Sequence, residues 1–242
     1  MFSAALWGVV ASSSLLIGSI IGLYTSISKK VIAYLMSLGT GILIGASAFD
    51  LLIESVEKSG LLITSVSFLC GALLFTVIEI YLYSKGGSNR KRSHKNPKGH
   101  SGLAIYIGTL MDAIPESIII GSSFLNTHKV DLLFVTAIFF SNFPEALSSS
   151  VGLKKDNYSY RKILTLWCTV ILISALSSSF GYLFLETASM DMLTCIESFG
   201  AGGLMAMVCS TMLPEAFEQG GPVVGFVTCV GLIFSLGMSM IG

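Results

Sequence analysis

Residues 141–150 read SNFPEALSSS. They lie within a long apolar stretch that suits a membrane-crossing helix, yet they contain Pro144 and Glu145. A proline removes a helix hydrogen bond, and a carboxylate is among the costliest groups to place in hydrocarbon. The same pair recurs as Pro115 and Glu116 in MDAIPESIII, and as Pro214 and Glu215 in TMLPEAFEQG. The chain has only five prolines, so three Pro-Glu pairs call for a common cause.

Composition identifies the solvent around these pairs. Of 242 residues, 53% are hydrophobic and 12% charged, with a mean hydropathy of +0.81. Soluble domains carry roughly 25% charged residues. A helix needs about 20 apolar residues to cross the hydrocarbon. Eight such stretches are read near 3–27, 31–54, 61–83, 102–125, 130–152, 162–186, 194–218 and 222–241. The expected fold is an all-α integral membrane protein of about eight transmembrane helices, forming one polytopic domain over 1–242. The apolar runs are continuous rather than alternating, which argues against a β-barrel. The first run lacks a basic start and is too long for a cleaved signal peptide. Five cysteines without a CxxC pair read as small buried apolar residues. Zero net charge gives no argument for a nucleic-acid partner.

All fourteen Lys and Arg residues fall between the expected spans or at their ends. Twelve gather on one side, and only Lys58 and Lys129 fall on the other. The positive-inside rule makes the crowded side cytoplasmic and leaves both termini extracytoplasmic. The stretch 84–101, rich in Gly, Ser and Lys, is expected to be a flexible cytosolic loop. Its His94 and His100 are weak metal-ligand candidates, and a basic loop near anionic headgroups is the simpler reading. Pairs of glycines four residues apart, Gly18 with Gly22 and Gly41 with Gly45, suit close helix packing. The many serines are expected to bond back to their own helices.

Orientation sets depth. Asp112 and Glu116, four residues apart, share a helix face near the middle of the fourth span. Asn142 and Glu145, three apart, share a face near the middle of the fifth. An acid at a helix centre costs about 2.5–3.5 kcal/mol on insertion scales. No expected span carries a basic residue in its interior, and His94, His100 and His128 all lie outside. The counter-charge is therefore a proton or a bound cation, and a cation site is the reading preferred over protonated structural acids. Pro115 and Pro144 each free a carbonyl about one turn earlier, around Met111 and Phe140, and such oxygens can coordinate an ion. Glu215 and Glu218 are expected near the cytosolic mouth, and Asp50 with Glu54 near the outer end of the second span. Each pair suits either a relay or a snorkelling interface.

These residues resemble the ZIP (Zrt-, Irt-like protein) family of divalent-metal transporters. DAIPES, 112–117, stands where the family's fourth span carries a motif like HNxPEG, and SNFPEA, 141–146, matches its fifth-span motif ending in PEG. TMLPEAFE, 211–218, looks like the family's seventh-span Pro-Glu helix. The resemblance implies a ZIP-like bundle and a first metal site on Asp112, Glu116, Ser141 and Glu145, with Asp112 in place of histidine. The family's second site falls on Ala113, Asn142 and Ser178, which implies one metal rather than a pair. Asn142 and Glu215 complete the candidate metal set. The implied function is divalent cation transport toward the cytoplasm, of zinc, manganese or iron, across the plasma membrane. The alternative is a non-transporting metal sensor with a degenerate site. No enzyme is expected, since neither HExxH nor GxGD occurs, and no prosthetic group is expected beyond the transported ion. The expected partners are that ion and the bilayer, with a second copy of the chain as a candidate. Oxygen-only ligands imply a harder ion preference than a histidine site would give. Met111 is expected to point away from Asp112, because neighbouring helix residues diverge by about 100°.

Overall fold

A computed structural model describes residues 1–84, 101–127 and 131–240. The basic stretch 84–101, apart from its two ends, lies outside the described residues, as does His128. Everything described folds into helices or the turns between them. Hydrocarbon offers backbone groups no water, so a spanning chain must satisfy its own hydrogen bonds.

The helices are α1 (Phe2–Tyr24), α2 (Lys29–Ala46), α3 (Ile53–Ser84), α4 (Ser101–Thr127), α5 (Leu132–Lys155), α6 (Tyr160–Leu185), α7 (Met190–Met207), α8 (Leu213–Gly220) and α9 (Val223–Ser239). Polar residues at the connections start them. Ser28, Asp131, Ser159 and Ser189 each accept a hydrogen bond from a first-turn N–H of the helix they precede. Two helix pairs run on without a loop. α2 passes into α3 through the π-helical turn Ser47–Leu52, and α7 into α8 through Val208–Met212.

Among the described residues, five stretches are by length and composition apolar enough to cross a membrane: Phe2–Tyr24, Lys29–Tyr81, Leu132–Lys155, Tyr160–Leu185 and Met190–Gly220. The second, at 53 residues, is far longer than one crossing needs. It breaks at Gly60, whose φ of 82° and ψ of 165° lie in a region open essentially to glycine alone. The break falls in the gap between the spans expected at 31–54 and 61–83. α9 is a shorter apolar helix.

α5 is the centre of the molecule. Of its most apolar window 72% is buried, against 28% for α6. α1 and α2 pack along it, with lesser contacts from α4, α6 and α9. α4 lies mainly on α6, and α3 on α7. Small residues set these distances. At Gly18 an added Cβ would overlap the Phe143 carbonyl oxygen, so α1 can approach α5 this closely only without a side chain there. The glycine pairs therefore serve packing, as their spacing predicts.

One expectation is corrected. Cys70, Cys168, Cys209 and Cys229 are exposed and Cys195 is half-buried, so the cysteines are not core residues. On a bundle bathed in lipid, an apolar thiol gains nothing by turning inward. Lys58, at the end of a helical stretch as expected, pairs its ammonium with Glu54 at 2.7 Å and Glu197 at 3.5 Å. The helix breaks two residues later at Gly60, and Ser59 Oγ donates to Thr194 Oγ1 at 3.0 Å. Serine back-bonding is widespread, as from Ser12 to the Gly8 carbonyl at 2.7 Å and Ser37 to Ala33 at 2.6 Å.

Candidate functional site

Asp112, Glu116, Ser141, Asn142, Glu145 and Glu215 are all buried, none more than 4% exposed. Their helices explain this. Asp112 and Glu116 lie on the face of α4 that also buries Thr109 and Ala113, while Ile114 and Pro115 between them are exposed. α5 buries every residue from Pro144 to Ser150, Glu145 among them. Glu215 sits in the first turn of α8, directly after Pro214, where the π-helical turn Val208–Met212 runs into that helix.

A side-chain hydrogen bond joins α4 to α5. Thr109 Oγ1 donates to Glu145 Oε1 at 3.2 Å. The helices run antiparallel here, so Asp112 stands near the level of Asn142, and Glu116 one turn beyond. At 1.5 Å per residue, Thr109 and Glu116 differ in height by about 10 Å. Side chains tilt toward the N-terminus of their own helix. Glu116 thus leans toward the level of Asp112, and Glu145 toward that of Asn142. The four residues bracket one depth from opposite directions.

Glu215 joins the same line one turn further along α5. Ser148 Oγ donates to Glu215 Oε1 at 3.1 Å, and Gln219 Nε2 reaches the same oxygen at 3.4 Å. Glu145, three residues before Ser148, is about 4.5 Å away along the axis. α5 therefore carries a file of oxygen-bearing side chains, met by α4 at one turn and α8 at the next. Ser141 Oγ is committed to the Ile138 carbonyl at 3.0 Å. Ser178 Oγ donates to the Ala4 carbonyl at 2.8 Å, a structural bond between α6 and α1. Among the described residues, no group of three or more His, Cys, Asp or Glu side chains is gathered closely enough to hold a metal ion. Any ion held by these acids would have to draw on hydroxyl, amide, carbonyl or sulfur donors as well.

Three participants went unrecognised in the sequence. Thr109 lies three residues before Asp112 and Ser148 three after Glu145, so helical spacing from the acids would have found both. Lys58, four after Glu54, carries the same signal. Met111 lines a cavity together with Asp112.

No family model matches this chain, and no curated protein matches it.

Proposed function

We propose that this protein is a divalent metal cation transporter, with an eight-span bundle like that of the ZIP family. The cation, of the zinc, manganese or iron class, would pass toward the cytoplasm across the plasma membrane, with both chain termini extracytoplasmic. One observation carries the reading. Glu145 on α5 lies between Thr109 of α4 and, a turn further on, the Ser148–Glu215 pair that reaches α8. A file of buried acids and hydroxyls in an apolar bundle serves a mobile cation well and serves packing poorly. The break at Gly60, which divides a 53-residue stretch, supports two crossings there rather than one. Asp112, Glu116, Asn142 and Glu145 would receive the ion in succession around mid-depth, no three of the acids at once, with Ser141 beside them and Glu215 on the cytoplasmic side.

Purified protein in vesicles loaded with a metal-sensitive dye tests this. Wild type is expected to admit zinc or manganese, and Glu116→Ala or Glu145→Ala to abolish entry while protein remains in the membrane. Full transport by the double Glu→Gln variant would remove the cation-site reading. The second reading, a non-transporting sensor, is favoured by the structural bond that occupies Ser178. It predicts metal binding without entry.

A further inference from the structure

The turn between α5 and α6 is strongly basic. Residues 154–162 carry Lys154, Lys155, Arg161 and Lys162 against one acid, Asp156. Backbone bonds keep the turn compact: the Asn157 N–H donates to the Lys154 carbonyl at 3.2 Å, and the Tyr158 N–H to the Leu153 carbonyl at 3.1 Å. Two cation–ring contacts then cross it. Lys154 Nζ lies 5.0 Å from the centre of the Tyr160 ring, and Lys162 Nζ 4.5 Å from that of Tyr158. Lys154 also donates to the Leu23 carbonyl at 2.8 Å, near the end of α1. Tyr24, the last residue of α1, meets Tyr160 edge-on with ring centres 5.5 Å apart. The ends of α1, α5 and α6 thus share one basic, aromatic surface, on which Lys155 and Arg161 are exposed.

Arg161 also heads an outward face of α6. Thr165, Cys168, Leu172 and Leu176 follow it at helical spacing, and all are exposed, the two leucines by 61% and 62%. Leu172 lies about 16 Å from Arg161 along the axis, roughly half of a hydrocarbon core about 30 Å thick. Cations and tyrosines therefore stand at one end of a strip of apolar surface as deep as one leaflet. Tyrosine favours the headgroup level. A free anion in water would make no use of the strip, whereas a lipid with an acidic head matches both halves. We propose that the α5–α6 turn binds the phosphate head of an anionic phospholipid, through Lys155, Arg161 and Lys162, with an acyl chain along Leu172 and Leu176. On the orientation proposed above, the turn meets the cytoplasmic leaflet, whose acidic lipids attract such cations. The inference needs that orientation and does not depend on whether the bundle carries an ion.

Native mass spectrometry of the purified chain tests this, with phosphatidylglycerol and phosphatidylcholine of the same acyl chains titrated in detergent. Wild type should retain phosphatidylglycerol in preference to phosphatidylcholine. Lys155→Gln with Arg161→Gln should lower that preference by roughly fivefold for each cation removed. Lys155→Arg with Arg161→Lys, which keeps both charges, should preserve it. Both positions are exposed, and equal melting temperatures without added lipid check that the variants fold alike. Glycerol phosphate, the head without its chains, should not displace the lipid at equal concentration. Absence of the preference in wild type, or its survival in the double Gln variant, would overturn the site. An equal loss from Arg90→Gln with Lys91→Gln would assign the preference to the overall charge of that side and overturn it too. Displacement by glycerol phosphate would make the turn a free-anion site and remove the lipid.

Discussion

Asp112 shows how far a single position can be read. Its place in a Pro-Glu helix marked it as a buried acid, and it is 4% exposed. Its surroundings could not be read, because Met207, which lines the same cavity, lies ninety-five residues later in the chain. Helical spacing reveals partners on the same helix and is silent about those on another. Thr109 and Ser148 were within reach of such spacing, but hydroxyls are too common in this chain to stand out. Asp112→His should shift ion preference toward zinc, as imidazole replaces a harder oxygen. Competition of zinc against manganese for uptake checks this, and no change would remove Asp112 from the ligand set. Uptake should also fall as pH falls, because protons compete with the metal for carboxylates. A pH series of initial rates measures it.

At the level of elements, the apolar runs marked the helices well, since a membrane demands length and hydropathy before all else. The break at Gly60 falls in the gap expected between 54 and 61, whereas no composition signal announces the π-helical turn Ser47–Leu52. Glycine spacing, by contrast, translated directly into contacts. Gly18 admits α1 against α5 at Phe143, immediately before Pro144 and Glu145. Gly18→Ala should therefore displace α1 from the site as well as loosen the bundle. It is expected to lower both thermal stability in detergent and metal entry. Gly225 on α9 has nothing within 4 Å of an added Cβ. Gly225→Ala should leave transport intact and raise stability by up to about 1 kcal/mol, from helix propensity. Equal effects of the two substitutions would refute the packing role of Gly18.

For the whole molecule, the all-helical, membrane-suited character was plain from hydropathy. The central place of α5 was not, although it is the least apolar of the five membrane-suited stretches. A polar helix can survive in a bilayer only where other helices surround it, and that requirement is visible once the fold is known. The charge asymmetry predicts where the ends lie. Cysteine labelling from either side should find both termini outside and residues near 90 inside; a cytoplasmic C-terminus would reverse the direction assigned to every helix. The enclosure of α5 also bears on how the chain is made. Asn142 and Glu145 make it a poor substrate for lateral release into lipid on its own. Of the helices that contact it, α1, α2 and α4 leave the ribosome first. The order of synthesis thus presents α5 with a partly assembled socket at the moment of insertion. A nascent chain lacking its first two helices would meet the translocon with the same segment and nothing to receive it.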